Sequence, residues 1–329
     1  MTGKLQIKLD SGTYYLVIYF NPIPFFMHKL NSILVVLLVS LSYTYAQPSI
    51  SFTFDDGVTG DMPGYTFEQW NGKILQHLDD AGLKAIFFVT GSNKTDEKGK
   101  QLLTAWNARG HRIGNHTFSH KNYNSDQITF EKFKYEFLRT DSIIKRYSNY
   151  IRMFRFPYLK EGNTKEKIEG FRGFLKEQDY RNGHVTIDAS DWYIDSRLIK
   201  RLRQDPAANL EAFKQFYLAH IYERAVYYEE LAFKLTGRHI KHTLLLHHNL
   251  VSALFLADLI KMFKAKGWNT MNATDAYTDA IYQSKPSTIP AGESLIWSLA
   301  KETGSYEAIL RYPAEDSRYE ENKMNTLGL

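Results

Sequence analysis

Two adjacent carboxylates, Asp55 and Asp56, close the apolar and β-branched run 50–54 and are followed by Gly57. Like charges on neighbouring side chains repel, so keeping both ionised needs a partner for each. A metal ion on one and a cation on the other would leave two carboxylates with different tasks. The chain offers candidates for both partners: His116 and His120 for a metal, Arg155 for the second carboxylate. The plain alternative for a lone Asp-Gly is a tight turn.

His116-Thr117-Phe118-Ser119-His120 spaces two imidazoles four residues apart, on one face of a helical turn, from which both can reach one ion. Spacing alone is weak, because the pair fixes no third ligand. Position adds weight, since the pair follows a strand-like run and the strand ends of a parallel barrel converge on one face. Asp55, Asp56, Arg155, Asp188, Asp191 and His247 follow such runs too. One Arg or His there would be ordinary polar rim; ionisable groups at strand end after strand end read as an active site.

The elements that must position these groups alternate. A strand over 50–54 is followed by a helix that starts with the capping box Thr66 and Gln69, carries Trp70, Ile74, Leu75 and Leu78 at helical spacing, and stops at Gly82. Strands are then expected over 85–89, 112–116, 153–156, 185–187, 244–246 and 268–271, and helices over 99–108, 129–145, 165–178 and 252–264. About seven strand-helix repeats predict a parallel α/β sheet closed into a barrel. Roughly 50 residues separate Trp192 from Thr243, more than an ordinary connection needs. There Phe213, Phe216, Tyr217, His220, Ile221, Tyr228 and Leu231 predict a long helix whose stripe packs on the barrel rather than forming a substrate groove. An extension over 286–329 follows, with a short helix expected over 292–301; wrapping the barrel and staying loose are both open to it.

A length of 329 residues exceeds an average domain but suits a single α/β barrel, and 43% hydrophobic with 15% aromatic residues supplies a sizeable core. The absence of cysteine excludes disulfides, thiolate catalysis, Cys-rich zinc sites and a lipidated N-terminal Cys. Any metal must therefore sit on histidines and carboxylates.

From Met27, a basic start, an apolar run over 33–41 and Thr44-Tyr45-Ala46 read as a signal peptide cleaved near Ala46, making the mature protein secreted or periplasmic. The run falls short of a bilayer span, so a retained anchor is the weaker alternative. Residues 1–26 are either an over-extended start or a long n-region. The expected organisation is thus 1–26, signal peptide 27–46, catalytic domain 47–285 and extension 286–329. Removing 1–46 takes away Lys4, Lys8, Lys29 and Asp10 and lowers the formal charge from +5 to +3. No Lys/Arg block or DNA-binding motif is present, so nucleic acid is not an expected partner, and nothing in the sequence fixes an oligomeric state.

The ordered set Thr53-Phe54-Asp55-Asp56-Gly57, His116-Thr117-Phe118-Ser119-His120, Arg155-Phe156-Pro157-Tyr158, Asp188-Ala189-Ser190-Asp191-Trp192 and Leu244-Leu245-Leu246-His247 resembles the polysaccharide deacetylase family, the NodB-homology or carbohydrate esterase family 4 domain, over about 48–280. The resemblance implies a distorted, NodB-like (β/α) barrel with a long helical insertion and a C-terminal extension. It implies Asp55 as general base, and Asp56, His116 and His120 as ligands of a divalent metal. Zinc is the default, with cobalt, nickel or manganese as alternatives. The metal would polarise the acetyl carbonyl and bind the attacking water while Asp55, held ionised by Arg155, takes the proton. The backbone N–H of Tyr158 would stabilise the oxyanion, His247 would act as general acid oriented by Asp191, and Trp192 and Leu246 would line the pocket. Trp192 also fits a plain packing role.

One departure stands out: the family usually has His-Asp where this chain has His247-His248-Asn249. Strand register favours His247 as the acid, with the roles exchanged if alternation breaks there. Asp188 either bonds locally or supports the site. The implied activity is a secreted, metal-dependent N-deacetylase of N-acetylglucosamine-containing glycans, chitin, chitooligosaccharide or peptidoglycan. An O-acetyl xylan esterase on the same site and a catalytically silent carbohydrate-binding protein are the alternatives. Metal-independent hydrolysis is disfavoured by the presence of both histidines. Substrate choice is expected to rest on the loop 60–65, the long connection and the extension.

Overall fold

The computed structural model of the protein describes residues 47–311 and 317–329. Its central strand, β1 (Ser49–Asp56), is buried from 50 to 55, and strand alternation divides those residues between two surroundings. Ile50, Phe52 and Phe54 face the surrounding helices: the Phe52 ring meets Phe263 and that of Phe54 meets Trp106 edge-on. Thr53 and Asp55 face the other way, toward Arg155, whose guanidinium bonds both. The pattern of one strand thus builds the core and delivers a carboxylate to the barrel interior.

On one side of β1 lie β2 (Ile86–Val89), β3 (Arg112–Asn115) and β4 (Tyr150–Phe154), all parallel. On the other lies β7 (Lys241–His247), with the short β8 (Asn269–Thr270) beside the start of β1. With β6 (Arg181–Asn182) on β4, the sheet has seven strands. The expected strand over 185–187 is reduced to a bridge between Ile187 and Leu244. The physical reason is that one segment serves two neighbours. Residues 181–182 pair with β4, while the N–H groups of Thr186 and Ile187 donate to Thr243 O and Leu245 N donates to Ile187 O. This segment joins the two edges of the sheet, which gives the expected barrel a closure by irregular backbone.

Helices α1 (Phe67–Asp80), α2 (Glu97–Ala108), α3 (Phe130–Ile144), α4 (Lys165–Glu177) and α7 (Leu250–Ala265) occupy the sequence-predicted places. Thr66 and Gln69 form the expected capping box, and Asp96, Thr129, Thr164 and Asn249 each cap a first turn. Such a cap stabilises a helix by about 1 kcal/mol.

The long connection holds two helices rather than one. α5 (Asp191–Gln204) buries Ile194, Leu198 and Leu202, and α6 (Glu211–Thr236) ends at a left-handed Gly237. The stripe Phe213, Tyr217, His220, Ile221, Tyr228 and Leu231 is buried, so core packing is its role. The described residues after 285 pack on the barrel at several points. β9 (Ala291–Gly292) pairs antiparallel with β5 (Lys160–Gly162), α8 (Leu295–Thr303) lies against α6, and α9 (Glu321–Thr326) buries Met324. Among the described residues no helix is long and apolar enough to cross a membrane. The expected signal segment 27–46, like residues 1–26, lies outside the described residues.

Candidate active site

Asp55 is sequestered at the end of β1, where Arg155 Nη1 donates to its Oδ1 at 2.6 Å. Arg155 is fully buried and held on every side. Nη1 also reaches Thr53 Oγ1 at 2.9 Å, Nε donates to Gly183 O at 2.8 Å, Nη2 donates to Tyr277 Oη at 3.0 Å, and the guanidinium lies 4.0 Å over the Phe88 ring. The Arg155 cation favours the ionised form of Asp55, in the direction the sequence leads one to expect. Burial outweighs the Arg155 cation, and the Asp55 carboxyl is pushed up to about 6. The result is a group still charged near neutrality yet more basic than an exposed carboxylate.

At Asp56 the backbone enters the left-handed region with φ 79°, followed by Gly57 at φ 88°. A Cβ on Gly57 would lie 2.9 Å from Lys94 Cε and 3.0 Å from the Phe87 ring, so only glycine continues the chain here. Thr90 holds the turn, donating to Asp56 O from both N and Oγ1. The strain separates the two neighbouring carboxylates. Asp56 faces His120 Nε2 at 3.4 Å and His116 Nε2 at 3.8 Å. Although burial opposes its charge, Asp56 is held below the usual carboxylate range, with the cationic His247 among the groups that lower it.

The two histidines do not share a helical turn, as their spacing predicts. His116 follows β3 directly, and the backbone then reverses through left-handed Thr117 (φ 62°) and His120 (φ 54°). Asn115, which the sequence reading passed over, fixes this reversal: its Oδ1 accepts from Thr117 N at 2.9 Å and its Nδ2 donates to Phe137 O at 3.0 Å. An Asn two residues before a polar turn is the signal that was available.

Asp56, His116 and His120 bring one ligand atom each to within 4.8 Å of one another. The donor chemistry fits a divalent cation. His116 Nδ1–H donates to Arg155 O at 2.8 Å, which leaves Nε2 as the free lone pair. Burial pulls both imidazoles down to about 4, so each is neutral and able to ligate.

His247 ends β7, and its Nδ1–H donates to Asp191 Oδ1 at 2.6 Å while its N–H donates to Asp191 Oδ2 at 2.8 Å. Asn249 Nδ2 adds a third donor to Asp191 at 3.1 Å, and its Oδ1 caps α7 by accepting from Ser252 N. Burial disfavours a charged His247, yet the Asp191 carboxylate overrides it and the ring is pushed up to about 10.

His248 points to the opposite side of the strand end. It is buried beside the rings of Trp70, Phe87 and Trp106 and donates from Nε2 to Asn71 Oδ1 at 2.9 Å. Burial drives its pKa well below the ordinary value, so it is a neutral core residue. Of the two, His247 borders the cavity and His248 lies in the core.

Asp55, Asp56, His116, His120 and His247 line one cavity of about 400 Å³ together with Tyr158, Leu159, Asp188, Ala189, Trp192 and Leu245. Tyr158 is left-handed (φ 56°), with its ring centroid 4.5 Å from that of His120. Leu246 is misplaced by the sequence reading. It is wholly buried in the core, because alternation along β7 puts Leu245, not Leu246, on the face of His247. Asp188 borders the cavity and offers its carbonyl to Arg224 Nε at 3.1 Å. Asp56 and His120 also border a second cleft of about 390 Å³ with Thr59, Ser92, Asn93 and Lys94. Two larger depressions, of about 450 and 660 Å³, contain none of these acid, base or ligand groups.

Residues 42–174 match the sequence model of the family described as polysaccharide deacetylase. A curated relative, the peptidoglycan-N-acetylglucosamine deacetylase of Bacillus cereus, is 30% identical over 154 residues, covering 46% of this chain and 50% of that protein. The chain therefore spans about half the length of the curated relative it matches. Among solved structures, the Bc1960 peptidoglycan N-acetylglucosamine deacetylase is similar at 21% identity and TM-score 0.48, over 70% of this chain and 89% of that one. The peptidoglycan deacetylase PdaC of Bacillus subtilis is similar at 21% identity and TM-score 0.45, over 71% and 91%.

Proposed function

We propose that the protein is an exported, divalent-metal-dependent deacetylase that hydrolyses N-acetyl groups of N-acetylglucosamine-containing glycans, with the peptidoglycan activity of its curated relative as the first candidate. One observation carries the reading: a metal-ligand triad, an Arg-paired carboxylate and an Asp-oriented imidazole border a single cavity. The catalytic unit is taken as 47–285 and the extension as 286–329, with export directed by the segment 27–46.

In this mechanism Asp56, His116 and His120 hold the cation, zinc by default, which when bound supplies Lewis acidity toward the acetyl carbonyl and the attacking water. Asp55 removes the proton of that water, and the raised basicity of its buried carboxyl suits the task. Arg155 keeps Asp55 in place. The developing oxyanion lies near the left-handed Tyr158, whose backbone N–H is the proposed donor. His247, kept protonated by Asp191, delivers a proton to the leaving amine, which is too basic to depart as an anion. Trp192 and Leu245 form the apolar wall for the acetyl methyl and the sugar ring.

The deciding experiment is acetate release measured side by side on peptidoglycan fragments, chitooligosaccharides and acetylxylan. Turnover on the first or second supports N-deacetylation and names the glycan. Turnover on acetylxylan alone would replace it with O-acetyl esterase activity. Glycan binding without acetate release from any of them would leave a carbohydrate-binding protein.

A further inference from the structure

The segment after residue 285 reaches both walls of the cavity. On the Tyr158 side, β9 lies against β5, and Glu293 N donates to Leu159 O at 3.0 Å. Gly292, at φ 124°, permits this approach, since a Cβ there would fall 1.9 Å from Leu159 O. On the Asp188 side, Glu320 is wholly buried with its Oε1 3.4 Å from His220 Nε2 on α6. One helical turn along, Arg224 lies between the rings of Tyr228 and Tyr319, 5.5 Å from each centroid. Glu320 and Asp188 are among the groups whose charge acts on it.

Arg224 is 1% exposed, and its Nε donates to Asp188 O. Burying a guanidinium is costly, and an apolar side chain of similar volume would fill the space at less cost. What an apolar residue could not do is grip the Asp188 carbonyl. That grip matters because α5 begins at Asp191 with no side-chain cap from Ser190, so capping does not fix the approach to the helix. The same C-terminal segment also holds α5 from outside. Arg197 donates to Asn325 Oδ1 at 2.9 Å and to Leu329 O, and Arg201 donates to Gly328 O.

We propose that Arg224, flanked by the ring of Tyr319 from the C-terminal segment, is a positioning residue that fixes the turn 188–192, and through Asp191 the ring of His247. The proposal rests on the reading of the cavity as a deacetylase site. It gives the extension a task in setting the acid side of the pocket.

The test uses the full chain with Arg224→Lys, Arg224→Met and Tyr319→Leu. Three quantities are measured: thermal midpoint, kcat and KM for acetate release, and the NMR resonance of the His247 Nδ1 proton bonded to Asp191. Arg224→Lys and Arg224→Met are expected to lower kcat roughly tenfold or more with KM within about twofold, and to move the His247 resonance. Tyr319→Leu takes the extension's ring away from the Arg224 guanidinium and is expected to give the same changes at smaller amplitude. A folded variant with wild-type kcat and an unmoved resonance overturns the proposal. So does a loss of kcat matched entirely by the unfolded fraction. If wild type releases no acetate from any glycan while the resonance still moves in the variants, the deacetylase reading fails and the positioning role stands.

Discussion

Asp55 on β1 and His247 on β7 are register partners in adjacent parallel strands, which brings two titratable groups of opposite tendency to one level of the barrel. Burial pushes the Asp55 carboxyl up to about 6, and Asp191, working against burial, pushes His247 up to about 10. Near neutral pH the carboxyl is therefore able to accept a proton while the imidazole holds one. Environments that drive two groups apart in this way mark a base and an acid.

Asp191→Asn removes the charge that keeps His247 protonated. His247 titrates above its ordinary value of 6.5, so its pairing with Asp191 stabilises the fold fully below that pH and the contribution is lost as the pH rises through about 10. The alkaline limb of kcat/KM is expected to move to lower pH by at least about one unit in Asp191→Asn, with kcat down roughly a hundredfold. NMR titration of His247 beside the pH–rate profile checks this. An alkaline limb that stays in place would assign the limb to another group.

Metal removal separates the base from the ligands. Thorough chelation is expected to abolish acetate release, and re-addition of zinc, cobalt, nickel or manganese to restore it to differing extents. His120→Ala should weaken metal binding by roughly tenfold or more in calorimetry, since it deletes one of three protein ligands. Asp55→Asn should bind metal yet lose at least about a hundredfold in kcat. Full turnover by metal-free protein would sink this mechanism.

His247 and His248 are adjacent in sequence and lie in opposite surroundings, one at the cavity and one in the core. His247→Ala is expected to remove the proton donor, costing roughly a hundredfold or more in kcat with a modest change in stability. His248→Ala empties a place among Trp70, Phe87 and Trp106 and strips Asn71 of a donor, at about 2–4 kcal/mol of stability. Urea unfolding and initial rates on both variants decide the matter; the reverse pattern would exchange the two residues.

Much of this site was legible because strand alternation and strand ends are written locally. The run through Asp55, the order of the motifs and the capping box at Thr66 needed only nearest-neighbour patterns. What escaped depends on contacts distant in sequence. Residues 185–187 look like a strand, but the segment pairs with β4 at 181–182 and then meets β7 only through a bridge at Ile187. The His116–His120 spacing reads as helical, yet Asn115 turns the chain instead, a side-chain-to-backbone effect that periodicity does not register. Tyr277 lies 122 residues from the Arg155 it supports, and Arg224 lies 36 from the carbonyl it grips.

The leucines of β7 test how finely alternation sets the cavity. Leu245 shares the face of His247 and borders the cavity, whereas Leu246 is fully buried in the principal core cluster. Leu246→Ala should therefore destabilise the fold by about 2–5 kcal/mol, through lost burial and the void left behind, while kcat and KM of the folded fraction hold. Leu245→Ala removes an apolar wall next to the proposed acetyl pocket. It is expected to raise KM or lower kcat/KM by roughly tenfold, on the scale of one lost apolar contact in a substrate site, with a smaller loss of stability. Denaturant midpoints and full kinetic parameters for both variants distinguish the two. A kinetic effect confined to Leu246→Ala would mean that the β7 register, and with it the assignment of His247 to the cavity, is wrong.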